Sequence, residues 1–270
     1  KQDRTEEAVE HYLQALRVMP NYANAHNNLG LAYGDSGMHE EAIKAYKRTI
    51  RIDPDYADVH NNLGIAFVKS GKYKEAIESY KQAIRIGPDY AKAHNNLGVA
   101  FVKSGKLKEA IESYKQALRI NSDFADAHYN LGVAFVKSGM HKEAIDAFKQ
   151  VIRINPDDAP AHYNLGVAFV KSDMHKEATE AYKQALRINP DDAQTHYNLG
   201  VAYGASGMHK EATDAFKQVI RINPDDAPAH YNLGYAYVLS NDRDSALEQY
   251  KILKSINTEL ANRLFNLINQ

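Results

Sequence analysis

The sequence predicts an all-α protein in which pairs of antiparallel helices stack into a solenoid. Three observations support this fold class: a 34-residue unit recurs seven times without an insertion, each unit carries two apolar runs at helical spacing, and turn-forming residues separate the runs. A period of this length is typical of a stacked array, because a single helix pair cannot bury its apolar faces alone. The units begin at Ala23, Ala57, Ala91, Ala125, Ala159, Ala193 and Ala227.

The fourth unit shows how the first helix is predicted. Ala127, Leu131 and Phe135 recur at i, i+4 and i+8, which places them on one face of a helix. Gly132 lies where we expect the two helices of the unit to cross closely. Gly139 follows the run and can adopt the left-handed conformation that closes a helix. A tight turn should therefore follow each first helix.

The second helix of the unit follows from a similar pattern. Ala144, Phe148 and Val151 recur at i, i+4 and i+7. Pro156 then ends the helix because proline lacks a backbone donor, and Asp158 can cap the helix that follows. Asp173 and Asn241 replace the turn glycine in two other units, which is tolerable since these residue types enter the left-handed region more readily than most.

These residues resemble the tetratricopeptide repeat (TPR) family, whose pattern is L-G, an aromatic residue, G, A, F or Y, A and P. The matching residues of the fourth unit are Leu131, Gly132, Phe135, Gly139, Ala144, Phe148, Val151 and Pro156. The resemblance implies a right-handed superhelix whose first helices line a concave ligand face. Where the family has Trp before L-G, this chain has His26, His60, His94, His128, His162, His196 and His230.

We interpret the chain as one repeat domain with distinct ends. Residues 1–22 match the second helix of a truncated repeat, residues 23–260 hold the seven TPR repeats, and residues 261–270 are expected to form a C-terminal capping helix. Terminal repeats are expected to cover the last apolar face of such an array. Because the chain starts inside a repeat, we expect it to be part of a longer protein.

Charge and composition argue against several classes of partner. The net charge is −1, with 33 basic and 34 acidic residues, so no global field favours nucleic acid. No apolar run approaches the length of a membrane span, and no signal peptide is evident. The chain has no cysteine, which rules out disulfides and thiolate metal sites. We therefore expect neither a nucleic-acid partner nor membrane insertion, and we expect a cytoplasmic protein although no signal assigns a compartment.

One asparagine per repeat is a candidate for ligand binding. The TPR resemblance places Asn28, Asn62, Asn96, Asn130, Asn164, Asn198 and Asn232 on the concave face. A side-chain amide has a donor and an acceptor, so it can bond to a peptide backbone at two points. The series resembles the asparagine ladder in the TPR region of O-linked N-acetylglucosamine transferase. The alternative is that these amides bond only within the array.

A tyrosine precedes this asparagine in the later repeats, where HYNLG replaces HNNLG. The residues concerned are Tyr129, Tyr163, Tyr197 and Tyr231. Tyrosine offers a rigid contact surface with a polar tip, and we expect these side chains to contribute to a binding groove. The alternative is that the rings only pack between adjacent repeats.

A lysine follows valine near the end of the first helix in four consecutive repeats. These residues are Lys69, Lys103, Lys137 and Lys171. A row of lysines could steer an acidic or phosphorylated segment into the groove. Alternatively, each lysine complements the dipole at the end of its helix and stays solvated.

The sequence contains no pattern of catalysis or cofactor binding. No nucleophile paired with a base stands apart from the repeat pattern, so we predict neither enzyme activity nor a cofactor. Equivalent histidines of neighbouring repeats should lie about 10 Å apart. Metal ligands each lie about 2 Å from the ion, so we predict no metal site.

The sequence favours a protein-interaction module that binds a peptide or protein segment, of unidentified sequence, along the concave groove. Two alternatives stay open. The array could recruit substrates for a larger enzyme such as a glycosyltransferase, or it could be a structural scaffold that assembles by self-association.

Overall fold

A computed structural model describes residues 2–269, with side chains from residue 6 onward. The described residues form sixteen α-helices and no strand, which confirms the predicted all-α fold of consecutive helix pairs. Lys1 and Gln270, which belong to the first and last predicted elements, lie outside the described residues. The helices are α1 Gln2–Val18, α2 Ala23–Asp35, α3 His39–Ile52, α4 Ala57–Lys69, α5 Tyr73–Ile86, α6 Ala91–Lys103, α7 Leu107–Ile120, α8 Ala125–Lys137, α9 His141–Ile154, α10 Ala159–Val170, α11 His175–Ile188, α12 Ala193–Ala205, α13 His209–Ile222, α14 Ala227–Leu239, α15 Arg243–Ile256 and α16 Thr258–Ile268.

The chain divides into two compact units between Ala134 and Phe135. In each unit, the first helix of a pair packs against the second helix of the same pair, and this second helix packs against the first helix of the next pair. Successive first helices also contact one another within a unit, as α4 does with α2 and α6. Within a unit of the described chain, successive second helices make no such contact. The first helices therefore lie on the inner side of each stack.

In five helix pairs, a glycine of the first helix lies against an aromatic ring of the second helix. A Cβ added to Gly64 would lie 2.5 Å from Cε1 of Tyr80, so only glycine fits at this crossing. Tyr80 is buried, as is the core residue Phe67. The same approach joins Gly30 to Tyr46, Gly98 to Tyr114, Gly166 to Tyr182 and Gly200 to Phe216.

The turns within pairs depend on residues with a positive φ. Gly139 has a φ of 74°, as the sequence predicts for a residue that closes a helix. Asp173 and Asn241 take its place in two turns with φ of 57° and 59°. The polar replacements that the sequence indicated therefore adopt the glycine conformation.

The histidine before L-G joins each first helix to the loop that precedes it. Nε2 of this histidine lies 2.8 to 3.1 Å from the backbone carbonyl oxygen of the residue six positions earlier, for instance Pro54 for His60. The carbonyl oxygen can only accept, so the histidine donates from Nε2. These histidines therefore have a structural partner in every repeat.

Helix α16 packs against α14 and α15 at the end of the second unit. Leu264 of this helix is fully buried and lies where a Cβ added to Gly234 would meet its side chain. Leu264 thus occupies the place that Tyr or Phe has in the other pairs. Tyr250, the aromatic residue of α15, instead packs on Phe265 with ring centroids 5.0 Å apart. None of the described helices is both long and apolar enough to span a membrane.

Candidate functional site

The seven predicted asparagines lie on the first helices and are all half-buried. In the first unit, Nδ2 of Asn96 donates to Oδ1 of Asn61 at 3.0 Å. Asn130 donates in the same way to Asn95, also at 3.0 Å. Each bond joins the asparagine before L-G to the residue one position earlier in the preceding repeat. We call such a bond a rung.

In the second unit, tyrosine hydroxyls replace asparagine as the acceptors of the rungs. Asn198 donates to Oη of Tyr163 at 3.0 Å, and Asn232 donates to Oη of Tyr197 at 2.8 Å. The two acceptor types are interchangeable because a phenol oxygen and an amide oxygen both accept a hydrogen bond. In the second unit, the structure therefore brings the predicted asparagines Asn198 and Asn232 together with the predicted tyrosines Tyr163 and Tyr197.

Two of the tyrosine rings contact an aromatic ring on the second helix of their own repeat. The ring of Tyr163 lies 5.9 Å from that of Tyr182, and Tyr197 meets Phe216 nearly edge-on at 5.8 Å. Burial, with a smaller effect of Tyr163, raises the pKa of Tyr182. Arg263 lies over the ring of Tyr231, 5.2 Å from its centroid. These contacts hold each ring while leaving it half-exposed on the inner side.

Tyr129 is half-buried on α8, in the first unit. Nδ2 of Asn164, on α10 of the second unit, donates to the backbone oxygen of Pro160 at 2.9 Å. Asn28 and Asn62 lie in the first unit on α2 and α4. Asn27, one position before Asn28, has a buried Oδ1 without a partner among the described residues.

A rung leaves part of the asparagine amide available. The amide has two N–H donors and an oxygen with two acceptor positions, and a rung uses one N–H. In the described chain, no group donates to Oδ1 of Asn130 or of Asn232. Oδ1 of Asn198 accepts a longer bond of 3.3 Å from Gln194. Each rung therefore orients an amide that can still donate and accept.

The sequence did not identify the acceptors of the rungs in the first unit. Asn61 and Asn95 are buried and provide the oxygens that hold Asn96 and Asn130. Their signal was the exchange of HNNLG for HYNLG, since Asn and Tyr share little except an oxygen that accepts a hydrogen bond. The exchange indicated a surface change, whereas the structure shows one function performed by two residue types.

The four predicted lysines are all exposed, but they are divided between the units. Lys69 and Lys103 end α4 and α6 of the first unit, and Lys137 and Lys171 belong to the second. No ion pair of the described residues includes any of the four. Their side chains are therefore available to solvent or to an anionic partner.

No group of three or more His, Asp or Glu residues in the described chain could hold a metal ion. The recurring histidine of each repeat uses Nε2 for a backbone carbonyl, as described above. The recurrence of histidine at these positions is therefore explained by its bond between the first helix and the preceding loop.

Two family models match the sequence. The model described as the cilia and flagella-associated protein 70 C-terminal domain matches residues 57–261. The model described as TPR repeat matches residues 1–37 and 35–71. A comparison with curated proteins gave no significant match.

Several solved TPR structures are similar to this chain. The TPR protein YrrB, whose structure is described as having an unusual peptide-binding site, is 28% identical with a TM-score of 0.64, over 70% of this chain and 99% of YrrB. MamA is 29% identical with a TM-score of 0.58, over 61% of this chain and 96% of MamA.

The C-terminal part of a TPR repeat-containing protein from Cytophaga hutchinsonii is similar in fold, with a TM-score of 0.74 at 17% identity, over 85% of this chain and 94% of that chain. The relatives are TPR repeat proteins, a class whose members are generally protein-interaction modules and typically lack enzyme activity.

Proposed function

The chain belongs to the TPR family described as the cilia and flagella-associated protein 70 C-terminal domain, and we propose that it is an interaction module that holds an extended peptide segment on its first helices. The ligand lies along the inner side of a unit, where the rungs orient the asparagine amides. The description of YrrB as a TPR protein with a peptide-binding site supports this proposal. The proposal includes the resemblance of these asparagines to the asparagine ladder of O-linked N-acetylglucosamine transferase.

The rungs are the observation that carries the proposal. An isolated amide on a helix surface would lose rotamer freedom on binding a ligand, which opposes binding. Here the bond from Asn130 to Asn95, or from Asn232 to Tyr197, already fixes the amide plane. The remaining N–H and Oδ1 match the C=O and N–H of one extended residue of a ligand.

The tyrosines and lysines have secondary roles in the proposed site. The asparagine amides hold the backbone of the ligand. The half-exposed edges of Tyr163 and Tyr197 contact its side chains. Lys69 and Lys103 in the first unit, and Lys137 and Lys171 in the second, attract acidic groups of the ligand by charge and affect the rate of association most.

The test is a selection from a random-peptide display library, carried out in parallel on the parent chain and on a variant with Asn130, Asn198 and Asn232 changed to Ala. We expect peptides to enrich on the parent, and we expect the triple variant to bind the same peptides at least about tenfold more weakly, because several hydrogen bonds are lost. Circular dichroism establishes that the variant keeps its helices.

A matched control separates ligand binding from structure. Tyr163→Phe and Tyr197→Phe remove the acceptors of the rungs but keep the amides of Asn198 and Asn232. Binding should fall much less in this double variant than in the asparagine variant. Equal losses in the two variants would show that the asparagines act only through the rungs. Peptides that bind parent and asparagine variant alike, or an absence of enrichment on the parent, would overturn the proposal.

A further inference from the structure

A cavity of about 350 Å³ opens on the inner side of the second unit, between α12 and α14. Phe216 of α13 is among the buried residues that line it, and Asn232 lies at its lining as well. Ligand sites of proteins usually occupy about 300–1,000 Å³, so this cavity is at the small end of the range. Its volume suits one large side chain rather than a whole ligand.

The cavity is lined by Gly204, at a repeat position where most of the other repeats have valine. The position of Gly204 is Val68, Val102, Val136, Val170 and Val238 in five other repeats. A Cβ added to Gly204 would meet no atom within 4 Å, so the space in front of it is open. Valine is accommodated at this point of the helix elsewhere in the array, so helix formation does not require the glycine.

Two further departures from the repeat pattern occur at the same cavity. Tyr235 stands where the other repeats have Leu, Ile or Val, and Leu239 stands where four repeats have lysine. Tyr235 is 40% exposed, Leu239 is 42% exposed, and Val201 beside them is 42% exposed. Three large apolar side chains that remain exposed around one opening are typical of an interaction site.

The charge of the cavity differs from that of the lysine-bearing repeats. No acidic or basic side chain of the described chain lines it except His209, because Ala205 and Leu239 take the lysine positions. An acidic side chain would lose its hydration here without gaining a cation, which is unfavourable. An uncharged, apolar group gains from the burial instead.

We propose that this cavity is a specificity pocket that takes one bulky apolar side chain, of the Phe, Leu or Met type, from the bound peptide. The inference rests on the proposed function and adds the identity of the preferred ligand residue. Asn232 lines the pocket and is oriented by its rung to Tyr197, at 2.8 Å. When this amide holds the backbone of a peptide, the side chains of that peptide are therefore close enough to enter the pocket. The apolar rim and floor then select which side chain enters.

The first unit supplies a matched comparison for the experiment. Gly34 is the glycine equivalent to Gly204 and likewise has no atom within 4 Å of an added Cβ. Asp35 and Lys69 stand in the first unit where Ala205 and Leu239 stand in the second. Gly34→Val thus makes the same chemical change outside the apolar pocket.

The experiment uses the random-peptide display library on four proteins: the parent, Gly204→Val, Gly34→Val and Leu239→Lys. We expect the peptides selected by the parent and by Gly34→Val to share one position enriched in Phe, Leu or Met. Gly204→Val should still bind peptides but lose that enrichment, and it should bind a synthetic peptide from the parent selection about tenfold more weakly. Leu239→Lys should shift the preference at this position toward acidic residues.

The outcomes distinguish this inference from the proposed function. Peptides with the same apolar enrichment on Gly204→Val as on the parent would overturn the pocket and leave the asparagine site intact. A lack of enrichment on the parent would overturn both. Light scattering over a range of concentrations tests whether a second copy fills the pocket. If the parent dimerises and the Leu239→Lys variant stays monomeric, the pocket is occupied by a second copy of this chain and not by a peptide, which would overturn the inference.

Discussion

Three first helices of the first unit begin after Tyr22, Tyr56 and Tyr90, whereas three of the second unit begin after Asp158, Asp192 and Asp226. None of the three tyrosines forms a side-chain cap. Oδ1 of Asp158 accepts from the backbone N–H of Ala161 at 2.8 Å, as the sequence predicts, and Asp226 caps Ala229 at the same distance. The same helix start is thus stabilised in two ways.

The tyrosines of the first unit stabilise it by contact across repeats rather than by capping. Tyr56 packs against the apolar core, and the hydroxyl of Tyr90 donates to Asp58 at 2.6 Å. Asp192 of the second unit is intermediate, since it accepts from the Thr195 hydroxyl and not from a backbone N–H. The comparison teaches that a repeat can exchange buried aromatic surface for a polar cap without changing its helix bounds.

The largest difference between the units should appear at high pH. Burial raises the pKa of Tyr46 to about 12. Burial also raises the pKa of Tyr80, Tyr90 and Tyr114, and for Tyr90 the bond to Asp58 adds to the effect. In the second unit, burial raises the pKa of one tyrosine at a helix crossing, Tyr182. An unfolded tyrosine ionises at about pH 10.

The direction of the pH dependence of stability follows from the raised pKa values of these tyrosines. The folded state favours the neutral phenol, so the associated stability is complete below about pH 10 and is lost as the pH rises toward about 12. We expect the first unit to unfold before the second in an alkaline titration. Far-ultraviolet circular dichroism and tyrosinate absorbance follow the transition. Tyr46→Phe with Tyr114→Phe should move it to higher pH, and an unchanged midpoint in this variant would contradict the prediction.

Phenylalanine is a suitable replacement in that variant because the second unit already uses it. Phe148 and Phe216 occupy the positions of Tyr46 and Tyr114 in their own repeats and are buried. The double variant therefore makes the first unit more similar to the second at the helix crossings. A loss of helix content at neutral pH would indicate that the hydroxyls contribute to packing.

The next largest effect concerns the helix crossing itself. Tyr80→Ala should lower the free energy of unfolding of the first unit by about 3–5 kcal/mol, because it removes a buried aromatic ring and leaves a cavity. Tyr80 lies against Gly64, whose lack of a Cβ prevents the neighbouring helix from filling the space. Hydrogen exchange of the amides of α4 and α5 measures the loss.

Tyr80→Phe is the control for this change, since it keeps the ring and should cost less than about 1.5 kcal/mol. Equal losses for the Ala and Phe variants would show that the hydroxyl, and not the ring, holds the crossing. Phe216→Ala makes the corresponding change in the second unit, where the crossing partner is Gly200. Similar losses at the two sites would indicate that the units differ in their helix starts but not in their crossings.

The helices were predictable because every repeat has the same local pattern of apolar and turn-forming residues. Gly139 closes a helix and Asp158 caps one through residues no more than a few positions away, and such interactions depend on local sequence. The turn conformation of Asp173 and Asn241 followed from the same local argument.

The proposed binding face was less predictable, since its contacts join residues that are far apart in sequence. A rung connects residues 35 positions apart, and the periodicity does not tell which atoms of two stacked helices meet. The pocket depends on Gly204, Tyr235 and Leu239, which belong to two repeats and become neighbours only when α12 and α14 stack. The departures from the repeat pattern are visible in the sequence, but only the stacked helices show that these residues line one cavity.

The smallest expected effect tests the aspartate caps. Asp226→Ala should lower the free energy of unfolding of the second unit by about 1 kcal/mol, because the backbone N–H of Ala229 loses its acceptor at the start of α14. Tyr22→Ala is the matched change in the first unit. Tyr22 is 44% exposed and forms no side-chain cap, so its removal should cost clearly less. Denaturant melts followed by circular dichroism compare the two variants with the parent. Equal losses would mean that Tyr22 stabilises its helix by packing as well as Asp226 does by hydrogen bonding, and the contrast between the units would then not extend to the first repeat.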